Sequence, residues 1–309
     1  MSDDRKQDNA VSPEERRFAG LVLRLLGIEP IRVDRTSSPD AWFADLPDGR
    51  RVVAKTPGWL NSPGSPSVEA WVYAECARRG IRTASVLAVS ADPECLVLQR
   101  LPGESLPRRS SSLPAGEQAV WARAGEDLRA LHEVRLVGFG TLSPRGDGSK
   151  PAGKADRWCP FAEFARTEGI RWLVDGGYLP TAQGDRLLAR IEEAQAAFDE
   201  VTEGRLLHGD LMSTHIFRSP DGAYEGLIDF GQAQSGDPRW DLARVPLWDG
   251  AEALDAVLDG YGSDVVTKED REFLLPLYLL SFVVRHAVGH DRPDYIRTLL
   301  DRSGYRVLL

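Results

Sequence analysis

LLHGDLMSTHIFRSPDGAYEGLIDFGQAQSGDPRWDLA, residues 206–243, sets His208, Asp210, His215, Asp229, Asp237 and Asp241 among short apolar runs. Ionisable side chains spaced in this way belong on strand ends and tight loops, where metal and phosphoryl-transfer sites are held. Arg205 to Leu207 reads as an apolar strand end, followed by the loop HGDLMST. Ile216 to Arg218 and Tyr224 to Ile228 read as short strands joined by a turn at Pro220, Asp221 and Gly222. Asp210 and Asp229 then fall at the two ends of this hairpin system and can face one cavity. Taken singly, each of the six residues is as well explained as a cap or a satisfied polar group. Their joint spacing is what carries information. A transition-metal hydrolase also clusters His and Asp, but it has no need of the upstream lysine and glutamate described below.

Phosphoryl transfer asks for such an arrangement: one carboxylate takes the proton of an attacking hydroxyl, and another holds the cation that bridges the nucleotide phosphates. HGDLMSTHIF followed by LIDFG closely resembles the catalytic and metal-binding loops of the aminoglycoside and macrolide phosphotransferases, antibiotic-resistance kinases with a protein-kinase-like fold. The resemblance implies Asp210 as catalytic base, Asp229 as principal metal ligand and His215, five residues after the base, as a second metal ligand. Most members of that family carry Asn at this last place. Magnesium prefers oxygen donors, so an imidazole there implies a second metal held weakly or through water, and tolerance of manganese.

The rest of the composition is ordinary for a soluble protein: 309 residues, 42% hydrophobic and 28% charged, enough for one large domain or two modest ones. A formal charge of −9 argues against a nucleic-acid-binding surface and permits an acidic cleft for a cationic small molecule. Cys76, Cys95 and Cys159 are odd in number and widely spread, which suits reduced thiols better than a disulfide framework. The polar N-terminus, MSDDRKQDNAVSPEER, lacks the apolar core of a signal peptide, so a cytoplasmic location is expected. Leu274 to Val284 is the longest apolar run; it is too short to span a bilayer, contains Pro276 and Ser281, and reads as a buried core helix.

Ser12, Pro13 and Glu15 make a helix start, with Phe18, Leu21, Val22 and Leu25 on one face up to Gly27. IRVDR, AWFADL and RRVVAK then read as an antiparallel meander. Thr36 to Asp40 sits where a kinase covers the phosphates, without a GxGxxG signature, and Ser37 and Ser38 could donate hydrogen bonds there. Lys55 ends VVAK, where a kinase places its phosphate-contacting lysine, although a strand-end lysine alone is commonly a solvated edge residue. The family likeness implies that Glu69, on the helix VEAWVYAECARRG, pairs with this lysine; Glu75 is the rival. Val86 to Val89 and Leu96 to Arg100 read as two more strands. LVLQRLPGESL resembles the family segment crossing between lobes, which implies nucleotide-base contacts near Gln99, Arg100 and Leu101.

Beyond Pro102 the pattern is helical, with Val120, Ala124, Leu128 and Leu131 at helical spacing and His132 as a packed structural histidine. Residues 138–158, rich in Gly, Pro and Lys, read as a long loop, with helices to follow at Pro160 to Val174 and Thr181 to Val201. By resemblance the helical region walls the acceptor site, and Asp237 and Asp241 brace the catalytic loop. Asp249, Glu252, Asp255, Asp259 and Asp264 read as a solvated face, and His286 with His290 lacks the third ligand a metal pair would need.

The resemblance therefore implies an α+β, bilobal, protein-kinase-like fold, with a small antiparallel-sheet nucleotide-binding lobe over residues 1–101 and a larger mainly helical lobe over 102–309. The implied reaction moves the γ-phosphate of ATP or GTP, with Mg2+ or Mn2+, to a hydroxyl of a small molecule. An antibiotic of aminoglycoside, macrolide or nucleoside type is the first expectation. A metabolic kinase of choline, homoserine or fructosamine type, or a silent nucleotide-binding module, is the alternative. No nucleic-acid or membrane partner is expected, and the protein is expected to be a monomer or weak dimer.

Overall fold

The computed structural model describes residues 12–36, 38, 41–57, 65–108, 112–146, 149–161, 168–262, 265–288 and 292–309. Helix α1 (Pro13–Leu26) begins as its sequence requires: the Glu15 N–H donates to Ser12 Oγ, and the Ser12 N–H donates to the Glu15 carboxylate. It ends at Gly27 in the left-handed conformation. Strands β1 (Arg32–Arg35), β2 (Ala41–Asp45) and β3 (Arg51–Lys55) form the meander; α2 (Pro66–Arg78), β4 (Val86–Ala91) and β5 (Glu94–Gln99) follow. The antiparallel sheet has the order β1-β2-β3-β5-β4. Period-two alternation decides its faces: Trp42, Ala44, Val52 and Ala54 are buried towards α1, where Phe18 stacks on Trp42, leaving Phe43 and Val53 for the opposite face. Since β3 and β5 run antiparallel, Lys55 lies opposite Leu96 and Val52 opposite Gln99. Lys55 and the end of β5 are thus at opposite ends of the sheet, about 10 Å apart at ordinary strand rise.

The larger lobe opens with β6 (Glu104–Ser105) and α3 (Ala115–His132), then β7 (Arg135–Leu136), β8 (Phe139–Ser143) and β9 (Ala152–Ala155). Helices α4 (Gly169–Asp175), α5 (Thr181–Glu193) and α6 (Gln195–Asp199) lead to β10 (Gly204–Leu207), β11 (Ile216–Arg218), β12 (Tyr224–Leu227) and β13 (Gln234–Gly236). The chain closes with α7 (Arg239–Asp249), α8 (Ala251–Tyr261), α9 (Leu275–Ala287) and α10 (Pro293–Arg302). Two antiparallel sheets, β7-β10-β13-β8-β9 and β12-β11-β6, carry the loops of the 206–243 stretch. Helices α3 and α8 approach so closely that a Cβ on Gly125 or on Gly260 would overlap a carbonyl of the facing helix. Among the described residues, no helix is long and apolar enough to cross a membrane, and α9 is almost wholly buried.

The two-lobed α+β architecture is as expected, and three local expectations need correction. Residues 138–158 contain a hairpin, with Ser143 opposite Ala152, because Phe139 and Leu142 are buried and anchor a strand that the Gly and Pro content conceals. The helix expected over 160–174 begins at Gly169 among the described residues, 162–167 lying outside them, and the next helix is divided at Ala194 and ends at Asp199. Asp249 is 2% exposed rather than part of a solvated face, because its carboxylate accepts the Ser213 N–H. Ser37, Asp264 and His290 lie outside the described residues.

Candidate active site

Helix α7 organises the loop after β10. Asp241, in its first turn, is fully buried and accepts the backbone N–H groups of His208 and Gly209, at 2.7 and 2.8 Å, and the ring N–H of His132 at 3.0 Å. Burial opposes its ionisation, yet the His132 hydrogen bond helps hold its carboxyl below the usual carboxylate range. His132 leans on the Tyr261 hydroxyl with its other nitrogen, so it is structural as expected. Asp237, by contrast, does not reach the loop; it is held by Arg239 and the Tyr278 hydroxyl. Gly209 has φ 81°, and a Cβ there would overlap the Gln232 carbonyl, so the HGD turn depends on its glycine. His208 donates to the Ile228 carbonyl and accepts the Asp210 N–H; burial pushes its pKa down to about 4 and keeps the ring neutral.

These contacts aim Asp210 at Arg244, one turn beyond Asp241. One guanidinium nitrogen is 2.5 Å from Asp210 Oδ1, another donates to the Gly209 carbonyl, and the group lies 4.2 Å over the Phe282 ring. On the other side stands His215, whose Nδ1 donates to the Asp210 carbonyl at 2.7 Å. Nδ1 therefore carries a hydrogen, and Nε2 faces Asp229 Oδ2 at 3.5 Å. Nε2 and Oδ2 turned towards each other are placed to share a cation. The Asp229 oxygen suits magnesium and the imidazole is the less usual donor, so water and phosphate oxygens would complete the shell. Among the described residues, no group of three His, Cys, Asp or Glu side chains forms a closed cage.

Asp229 has φ 68°, the one positive value at a non-glycine among the described residues, a conformation that persists only where neighbours enforce it. Helix α2 does so through two residues one turn apart. The Tyr73 oxygen accepts the Asp229 N–H, its ring meets Phe230 edge-on, and Glu69 Oε1 binds Lys55 Nζ at 2.5 Å. Lys55 Nζ also meets Asp229 Oδ1 at 2.9 Å. Burial of the lysine works against its charge, but Glu69 and Asp229 outweigh it and raise its pKa. Burial likewise opposes ionisation of Asp229, and Lys55 overrides it, so this carboxyl sits well below the usual range. Glu75 faces elsewhere and pairs with Arg78 and Arg79.

A cavity of about 540 Å³ lies between the lobes. Ser38, Lys55, Gln99, Arg100, Leu101, His215 and Asp229 all line it, with Phe43, Val53, Leu98, Phe217 and Ile228 as apolar walls. Glu69 joins through Lys55, and Asp210 through His215. The N–H groups of Gln99 and Arg100 already donate to the Ser85 and Arg51 carbonyls. Arg244, Tyr73 and Arg108 are absent from the sequence reading, and Asp249 appears there only as part of a solvated face. Tyr73 is one turn from Glu69 and Arg244 one turn from Asp241, so helical spacing could have flagged both; nothing local flags Arg108.

Residues 29–277 match the model of the phosphotransferase enzyme family, APH. Viomycin phosphotransferase of Streptomyces vinaceus is 31% identical over 175 residues, 54% of this chain and 54% of that protein, so the chain spans about half the length of the curated relative it matches. Among solved structures, a thermostable mutant of the aminoglycoside phosphotransferase APH(4)-Ia, in ternary complex with ADP and hygromycin B, superposes with a TM-score of 0.66 at 18% identity, covering 96% of this chain and 98% of that one. Choline kinase LicA from Streptococcus pneumoniae gives a TM-score of 0.65 at 16% identity over 96% and 99%. At these identities the two structures bear on the fold, which is the kinase-like one.

Proposed function

The chain belongs to the phosphotransferase enzyme family, and from that premise we propose that it transfers the γ-phosphoryl group of ATP or GTP to a hydroxyl of a small-molecule antibiotic. The observation that carries the reading is the convergence on one cleft of Lys55, Glu69, Asp229, His215 and Asp210, drawn from four separate segments. The nucleotide base would lie among Phe43, Leu98 and Phe217, with Leu101 offering the hinge N–H, since those of Gln99 and Arg100 are taken. Ser38 lies at the phosphate end of this assignment. Lys55 would orient the α- and β-phosphates, kept in place by Glu69. Asp229 and His215 would hold the divalent cation, which when bound supplies neutralising charge to the phosphates. Asp210, fixed by Arg244 and by the Asp241 clamp on its loop, would orient the acceptor hydroxyl and take its proton. The boundary between the lobes belongs near Leu101 in this reading.

The likeness to viomycin phosphotransferase favours an antibiotic as acceptor, with viomycin first on the panel and hygromycin B beside it. The test is nucleotide-dependent phosphate transfer followed by mass spectrometry, over hydroxylated antibiotics and metabolites including choline and homoserine, with ATP and GTP, magnesium and manganese. Asp210→Ala serves as the blank. A product heavier by one phosphoryl group from an antibiotic, absent in the blank, supports the proposal. Transfer to metabolites alone replaces it with a metabolic kinase, and nucleotide binding without transfer replaces it with a silent module.

A further inference from the structure

Resting on the reading above, we propose that Arg108 is a catalytic residue whose guanidinium contacts the phosphoryl group during transfer and carries part of its charge. Two cations and three carboxylates already crowd the reacting end of the cleft, and each cation is committed. Lys55 lies between Glu69 and Asp229, and Arg244 is bound to Asp210 and the Gly209 carbonyl. Among these five side chains the carboxylates outnumber the cations before a nucleotide arrives.

Arg108 lines the same cavity as Lys55, Thr214, His215 and Asp229 and is exposed to it. Among the described residues no carboxylate pairs with it. Its guanidinium is held by contacts that leave its charge uncompensated: Met212 Sδ at 3.4 Å, a weak acceptor, and the Trp248 ring, whose centroid is 5.2 Å away. Both supports fix its place. Met212 is two residues after Asp210, and Trp248 is one helical turn after Arg244, the residue bound to Asp210. Arg108 is therefore held on the wall of the cavity beside the loop that carries Asp210 and the helix that carries Arg244. Arg100, the other guanidinium lining the cavity, lies 4.1 Å over Phe43, on the sheet wall.

In the step, the acceptor oxygen forms its bond to the γ-phosphorus as the bond from that phosphorus to the β,γ-bridging oxygen breaks. The nucleoside diphosphate leaves with the electron pair, and the hydroxyl proton passes to Asp210. In the loose transition state the charge of the phosphoryl group is spread over three equatorial oxygens lying in one plane, and a preorganised planar guanidinium donates to them there. ADP lacks the transferred group, so the effect of Arg108 is expected on transfer and not on ADP binding.

The experiment is calorimetric titration of the full chain with magnesium and ADP, with and without aluminium fluoride as a mimic of the planar phosphoryl group. It compares wild type with Arg108→Met, which retains a thioether to rest on Trp248, and Arg108→Lys, which retains the charge. Aluminium fluoride is expected to tighten ADP binding in the wild type. Arg108→Met should lose roughly tenfold or more of that tightening, with ADP alone changed less than about twofold, and Arg108→Lys should fall between. Tightening that survives in Arg108→Met overturns the assignment. So does an equal loss for ADP alone, which would make Arg108 a ground-state ligand. A wild type that binds ADP without any tightening also overturns it while leaving nucleotide binding intact; one that binds no ADP overturns the kinase reading itself.

Discussion

Replacing Asp241 by Asn tests whether the clamp behind the HGD turn holds the active site together. The carboxylate is completely buried and accepts three hydrogen bonds, from the N–H groups of His208 and Gly209 and from His132. Hydrogen bonds to a charged acceptor contribute about 1.5–3 kcal/mol each, and a buried donor left without a partner costs about 1–3 kcal/mol. Asn keeps the shape but turns an N–H2 group towards donors at one of the two oxygen positions. Relief from burying a charge offsets part of the loss, so the net effect is about 3–5 kcal/mol, as found when one member of a buried charged network is removed. Against a total stability of about 5–15 kcal/mol this is a large share. Urea unfolding followed by tryptophan fluorescence should show the midpoint displaced with an unchanged slope. Turnover should fall as well, because the same N–H groups set the direction of Asp210. A loss below about 1 kcal/mol would refute the clamp, since it would mean that water or a neighbour satisfies the His208 and Gly209 donors equally well.

Glu69→Ala should reduce turnover by about a hundredfold while changing stability little, because the freed lysine loses its position and the phosphates lose an oriented partner; parallel turnover and melting curves decide it. His208 has a folded-state pKa of about 4 against 6.5 for the free ring, so its contribution to stability is complete above pH 6.5 and is lost as pH falls through 4. The full loss is about 3 kcal/mol, and comparing urea midpoints at pH 7 and pH 4 with those of His208→Gln should remove about that difference. His215→Asn replaces the imidazole that faces Asp229 by an amide, which should shift the activity ratio from manganese towards magnesium. An unchanged ratio together with unchanged activity would show that the imidazole has no special role.

Much of this molecule is legible in local patterns because local forces decide those parts. The Ser12–Glu15 capping box, the alternation in β2 and β3 and the Pro-Asp-Gly turn after β11 each depend on residues a few positions apart. The Gly-rich hairpin at 138–158 was hidden for the opposite reason: Phe139 and Leu142 become strand residues only when a core exists to receive them. Asp249 shows the same effect, an acid at solvent-face spacing that is buried because Ser213 comes to meet it.

The residue types at HGD, His215 and the IDFG turn, together with Lys55 and Glu69, carry the resemblance to the phosphotransferase family in the sequence itself. Tertiary structure alone decided how those groups are charged and aimed. Lys55 and Asp229 are 174 residues apart and meet at 2.9 Å, Tyr73 and Asp229 share a hydrogen bond across the lobes, and Arg244 turns Asp210 into half of an ion pair. Arg108, which pairs with no carboxylate among the described residues, faces the cleft where Met212 and Trp248 support it. Electrostatics is the physical reason. Coulombic and desolvation effects depend on distance and burial in space, which spacing along the chain does not encode, whereas helix capping, strand alternation and turns depend on neighbours that the chain itself supplies.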